Sequence, residues 1–313
     1  MNTSDSGLLP VAHLYPHEAV ELAAALVASI AAEAGLQCLF IKGPAAVSIK
    51  ARPPRASSDI DVLALPEEID IFINRLKIHG WLIRPSEDGL GIPRHSHTLY
   101  HENWPSDIDL HFRFPGLEAK PEEAFAALNK QSTIHYFAGF KAFIPSFPGH
   151  VVIQITHALR NLPSTEIYHS KNAHSDYDFL RFSDKLPKWP IMKEILDGTD
   201  SWAAMRPFLE DAYPSYLEAL SIHPPSEDWI SRTTVGYGST FKLMEFLRAP
   251  WRRKLIVLYR VFIPSREGLA VSNISILNAN RKTYNRILTK HWIHLLKRAP
   301  FAIFITAKRL RGR

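Results

Sequence analysis

The chain has 313 residues, 46% of them apolar and 22% charged, enough for buried cores in about two domains and too apolar for a disordered chain. Its single cysteine, Cys38, excludes an intramolecular disulfide, and no apolar run reaches the roughly 18 residues that a membrane span needs. The net charge of +6 is the remainder of two opposed parts, because residues 229–313 carry 18 basic and 2 acidic side chains (+16) while residues 1–228 carry −10.

At the amino terminus, Asp5 and the lack of a basic segment predict no cleaved signal peptide, and a cytoplasmic protein is expected. An Ala-rich amphipathic helix is predicted over 17–33. The run Gln37-Cys38-Leu39-Phe40-Ile41 reads as a buried strand that passes through Lys42-Gly43-Pro44 into a helix over 45–50. A strand, a tight glycine turn and a helix opening on proline offer backbone N–H groups and a positive dipole end to phosphate, and Lys42 adds a mobile cation there. Pro53-Pro54 then breaks the chain.

A strand over 60–65 follows, preceded by Asp59. After Pro66, a helix places Ile69, Phe72, Ile73 and Leu76 on one stripe before Gly80. Residues 81–83 form a short strand, and 98–101 with 107–112 a hairpin around Asn103-Trp104-Pro105-Ser106. Asp59-Ile60-Asp61 and Asp107-Ile108-Asp109 thus both sit in strand patterns. Successive strand side chains point to opposite faces, so the carboxylates share one face of each strand. In one sheet, three or four carboxylates would converge, and cations would be needed to neutralise them. Pairs of Mg²⁺ ions (or Mn²⁺) held by carboxylates are a common solution, used for phosphoryl or nucleotidyl transfer. Asp107, just after Pro105-Ser106, fits a turn role better than a ligand role.

Beyond Pro121 the pattern predicts a helix over 122–128, a second hairpin of 133–137 with 141–144, and helices over 150–162, 177–182 and 216–222. Prolines 187, 190, 214, 224 and 225 read as joints between them. His95, His97 and His101 lack a fourth zinc ligand at a recognisable spacing and read instead as part of a mobile loop over the site. His157 either closes a nucleotide pocket or is a satisfied core histidine.

Leu39 to Ala46, Arg55-Ala56-Ser57-Ser58-Asp59-Ile60-Asp61-Val62-Leu63 and Ile108-Asp109-Leu110-His111 together resemble the uncharacterised bacterial nucleotidyltransferase family of the DNA polymerase beta superfamily. The resemblance spans about residues 36–112, more loosely to 182. It implies an α+β fold, a small mixed β-sheet core flanked by helices and followed by a mainly helical carboxy-terminal region. It also implies domains over 1–145 (catalytic), 146–235 (helical) and 236–313 (basic, helical). By the same resemblance, Asp59, Asp61 and Asp109 hold Mg²⁺ and carry catalysis, and Gly43 is the turn glycine; beside it Lys42, Arg55 and Ser58 are expected to bind a nucleoside triphosphate such as ATP, and His111 either binds its phosphate or orients Asp109. The implied reaction moves a nucleoside monophosphate to a hydroxyl acceptor, in a protein, peptide, small molecule or RNA, with release of pyrophosphate. Better-known members of the superfamily have Gly-Ser where this chain has Gly43-Pro44, which removes one amide donor. Asp61→Asn is expected to abolish transfer with little loss of stability, by relieving repulsion.

Two other classes stay open: a catalytically silent nucleotide-binding regulator, and a module whose basic end is the functional part. Trp251-Arg252-Arg253-Lys254, Tyr259-Arg260, Trp292 and Lys297-Arg298 interleave cations with rings. That pattern suits an anionic partner, either RNA or the inner membrane surface, and equally suits helices packed on the acidic body.

Overall fold

The computed structural model describes residues 14–85, 93–168, 171–217, 220–235, 243, 246–247, 249–270 and 274–311. The amino-terminal stretch read for a leader lies outside the described residues. Helix α1 (Pro16–Ala34) ends where Gly35 takes a left-handed conformation and returns its N–H to the Ala31 carbonyl. Strand β1 (Cys38–Phe40) leads into α2 (Gly43–Ser48), and β2 (Asp59–Ala64) follows. Helix α3 (Ile69–Ile78) buries the expected stripe of Ile69, Phe72, Ile73 and Leu76. Strands β3 (Leu82–Ile83), β4 (Ser96–Tyr100) and β5 (Asp107–His111) complete a five-stranded sheet in the order β1-β2-β5-β4-β3.

The sheet is mixed. Strand β2 runs antiparallel to β1 and parallel to β5, while β4 is antiparallel to both of its neighbours. Alternation along the strands sends the two faces to two cores. Cys38, Phe40, Ile60, Val62, Ala64, Ile108 and Leu110 pack with α1, α3 and the hairpin of β6 (Thr133–Phe137) and β7 (Phe140–Ile144). Leu39, Ile41 and Leu63 point the other way, into a second core with α4 (Pro121–Lys130), α5 (Phe147–Tyr168), α6 (Lys171–Arg181), α7 (Trp189–Thr199) and α8 (Trp202–Ala212). The architecture is α+β, with a helical region after the sheet.

Two elements depart from the expected pattern. Of the helix expected over 216–222, the described residues show α9 (Pro214–Leu217), and residues 220–226 are irregular, since Pro224 and Pro225 supply no amide donors. Conversely, α7 and α8 occupy a stretch read as jointed. Pro190 sits in the first turn of α7, where no amide partner is lost, and α8 accommodates Pro207 internally. Helices α10 (Glu227–Val235), α11 (Trp251–Phe262), α12 (Arg266–Ala270) and α13 (Arg281–Arg311) close the chain. Among the described residues, no helix is long and apolar enough to cross a membrane.

Candidate active site

In the parallel pairing of β2 with β5, Asp59 lies opposite Asp107, Asp61 opposite Asp109 and Leu63 opposite His111. Residues in register on parallel strands share a face. Asp59, Asp61, Asp107, Asp109 and His111 therefore all stand on the side of the second core. Asp61 (3% exposed) and His111 (2%) are buried, while Asp59 and Asp109 are half-buried at the strand mouths.

Asp61 is the hub. Its Oδ1 lies 2.5 Å from Lys42 Nζ and 2.9 Å from His111 Nε2. Burial alone would raise its pKa, but the Lys42 charge and the His111 hydrogen bond outweigh that and hold the carboxyl well below its usual range. Asp59 behaves oppositely, pushed up to about 6 by burial first and the neighbouring Asp61 charge second, with Lys42 opposing. Asp109 Oδ1 is buried and has no hydrogen-bond partner, as has His111 Nδ1. One ligand atom each from Asp61, Asp109 and His111 lies within 4.8 Å of the others, the one such group among the described residues. Two carboxylates and an imidazole, with an orphaned carboxylate oxygen and Asp59 alongside, fit a divalent cation such as Mg²⁺ or Mn²⁺.

The turn from β1 to α2 delivers Lys42. Both Lys42 (φ 61°) and Gly43 (φ 48°) adopt positive φ, an uncommon conformation for lysine that strains the backbone at this point. At Gly43 a side chain would also crowd Ser57 Oγ, at 3.3 Å. The Ser58 hydroxyl reaches Asp59 Oδ1 at 3.3 Å.

Helix α5 and the segment after β5 form the opposite wall. The Phe114 ring is approached by Lys42 Nζ (6.0 Å), the Arg160 guanidinium (5.9 Å) and the His111 ring (5.7 Å). Arg160 has no carboxylate at ion-pair distance among the described residues. Burial, then the nearby Arg232, lowers its pKa to about 10, against the pull of Asp61, Asp228 and Asp109. It is a desolvated cation facing the carboxylate cluster. His157, one turn earlier, is held well below its normal pKa by burial and then by Lys42, and its Nε2 lies 3.2 Å from Asn161 Nδ2. The 93–95 segment is tied down from α10: Arg232 donates to the Pro93 carbonyl (2.6 Å) and to Asp228 Oδ1 (2.9 Å), and Arg113 bridges Asp228 (3.1 Å) and Pro93 (2.8 Å). At Gly116, φ is 97° and a Cβ would lie 2.8 Å from Trp229 and 2.9 Å from Thr156, so only glycine lets this wall close on α5 and α10.

Arg55, expected at the phosphates, is engaged by a carboxylate on α6. Its guanidinium forms a bidentate pair with Asp176 of α6, which is 1% exposed. The three histidines do not converge: the His95 ring lies 5.6 Å from His111, His97 is near Phe112 (5.7 Å), and His101 is near Trp81 (5.6 Å). His97 is also a strand residue of β4, where the sequence suggested a loop. Asp107 pairs with Arg84 at 2.5 Å and stays out of the cluster. Sequence reading missed Arg160 and Phe114 as site residues. The available signal was the helical spacing of Arg160 from His157, itself singled out.

No protein-family model matches the chain, and no curated protein matches it. Solved structures of nucleotidyltransferases are similar to it. The crystal structure of ANT(2")-Ia in complex with adenylyl-2"-tobramycin aligns over 58% of this chain and 98% of that one, at 13% identity and a TM-score of 0.40. An antigenic nucleotidyltransferase-like protein from Paracoccidioides brasiliensis aligns over 62% and 92% (15% identity, TM-score 0.37). The lincomycin-bound lincosamide adenylyltransferase LnuA aligns over 50% and 96% (17%, 0.33). At these TM-scores the likenesses carry no weight beside the geometry of the site.

Proposed function

We propose that this protein is a divalent-cation-dependent nucleotidyltransferase, moving a nucleoside monophosphate from a nucleoside triphosphate to a hydroxyl acceptor with release of pyrophosphate. The observation that supports this best is the register of β2 with β5, which gathers Asp59, Asp61 and Asp109 on one face and leaves Asp109 Oδ1 unpartnered.

In this proposal Asp59, Asp61 and Asp109 hold Mg²⁺ or Mn²⁺. The cation, when bound, neutralises charge on the reacting phosphate and polarises it. His111 fixes the orientation of Asp61 through the 2.9 Å contact. The free oxygen of Asp109 accepts the proton of the attacking hydroxyl. Arg160 and Lys42, both within about 6 Å of the Phe114 ring, offer positive charge to the triphosphate. Arg160 stays protonated at neutral pH and gains from an anion because it is desolvated without a carboxylate partner. Gly43 and Ser58 shape the turn in which the phosphates lie, and Arg55 acts as the brace of that loop. The acceptor belongs to the class of hydroxyl compounds.

The test is incubation with each α-labelled nucleoside triphosphate, Mg²⁺ and cell extract, following pyrophosphate release and the labelled product by mass spectrometry. Wild-type protein should release pyrophosphate, and Asp109→Asn should lower the rate at least about a thousandfold, as loss of a cation-holding base does in such sites. Nucleotide binding without turnover would support the regulator instead, a reading consistent with Lys42 being held on Asp61 and with the amide missing at Pro44.

A further inference from the structure

The carboxy-terminal helices combine the surplus of positive charge with apolar side chains that no described residue covers. On α11, Trp251, Leu255, Leu258, Tyr259 and Phe262 recur at i, i+4, i+7, i+8 and i+11, which is a single stripe of the helix. Their exposures are 75, 59, 38, 62 and 49%. Only Val257 of this helix is buried. Arg252 is exposed at the edge of the stripe, and Arg253 and Arg260 are exposed on the far side of the helix. On α13, Trp292, Leu296 and Ile303 form a second stripe, 41, 71 and 59% exposed. The helices meet where the Trp292 indole N–H donates to the Phe262 carbonyl at 2.7 Å, so the stripes adjoin.

Packing on the acidic body would have buried these stripes, and their exposure disfavours it. Nucleic acid would employ the rings and cations but leave Leu255, Ile256, Leu296 and Ile303 in contact with water. A second copy would bring one strongly basic face against another. An anionic bilayer accepts all three features at once: aliphatic side chains below the headgroups, Trp and Tyr at the boundary, and arginines against lipid phosphate. We infer that α11 and α13 form an interfacial docking surface for an anionic phospholipid membrane. The two helices lie in the plane of the headgroups and do not span. This surface is distinct from the carboxylate site and does not depend on the reaction assigned to it.

The experiment is co-sedimentation of the full-length protein with phosphatidylcholine vesicles, with and without phosphatidylglycerol. Binding should be at least about tenfold tighter with phosphatidylglycerol and should weaken with added salt. The double variants Trp251→Ser/Leu255→Ser and Arg252→Gln/Arg253→Gln should each bind about tenfold or more weakly. Their thermal unfolding should match wild type, since these side chains are already in water. Equal binding to both vesicle types, or none, would overturn the inference. So would RNA binding that survives Trp251→Ser/Leu255→Ser, or a dimer in solution that the same variant dissociates.

Discussion

Asp59 and Asp61 stand two residues apart on one strand face and respond to pH in opposite senses. Folding raises the Asp59 pKa from 3.8 to about 6. The stability tied to its proton is therefore present in acid and is lost as pH rises from about 4 to 6. Above that window Asp59→Asn should stabilise the fold by about 1–3 kcal/mol, measured by urea unfolding at pH 7.5, with the gain gone at pH 4. A divalent cation must displace the same proton, so cation affinity should fall as pH drops below about 6. Asp61 has the reverse sign: its lowered pKa gives stability above the unfolded value that is lost in acid. Asp61→Asn should thus cost about 3 kcal/mol, because Lys42, only 11% exposed, loses its counter-charge. The expectation of a stability-neutral Asp61→Asn is corrected on this ground, since repulsion among carboxylates is weaker than the Lys42 pairing. Across the site, Arg160→Gln should raise KM for the nucleotide roughly tenfold to a hundredfold, with a smaller effect on kcat, as loss of a charge-assisted phosphate contact does.

Among the elements, β2 and β5 were the most legible, because polar and apolar residues alternate strictly along Asp59-Ile60-Asp61-Val62 and Asp107-Ile108-Asp109-Leu110. Alternation gives the shared face within a strand but not the partner strand. The parallel pairing that puts Asp61 beside Asp109 emerges only from the fold. The stripe of α3 was equally readable, and α7 and α8 were not, since a proline at a helix start and a proline at a joint look alike in sequence. Arg55 shows another limit. Its place before Asp59 suggested a phosphate contact, and nothing in the local pattern pointed to its pair with Asp176, 121 residues away on α6. Arg55→Ala leaves the buried Asp176 carboxylate unpaired and should cost about 3–5 kcal/mol in chemical denaturation. Most of that loss should return in Arg55→Met/Asp176→Leu, which removes both charges.

Over the whole molecule, the two faces of one sheet divide the work. The face toward α1 and α3 is apolar along β1, β2 and β5, and the face toward α5 is apolar at Leu39, Ile41 and Leu63 and carries the carboxyl groups where β2 and β5 meet. Helix α5 packs against both parts and so brings Arg160 to the carboxylates, a long-range consequence of chain topology that no local spacing reveals. The split between an acidic body and a basic end was readable by counting. Whether the basic helices are covered or bare depended on the fold. The central claim, that these carboxylates form a seat for a cation and a nucleotide, is tested most directly by titrating Mn²⁺ with ATP into wild-type protein and Asp109→Asn and following bound Mn²⁺ by electron paramagnetic resonance. Wild-type protein should bind Mn²⁺–ATP, and Asp109→Asn should bind it at least about tenfold more weakly with an unchanged unfolding midpoint, since the free oxygen it alters has no protein partner. Equal affinity in the two proteins would contradict the account.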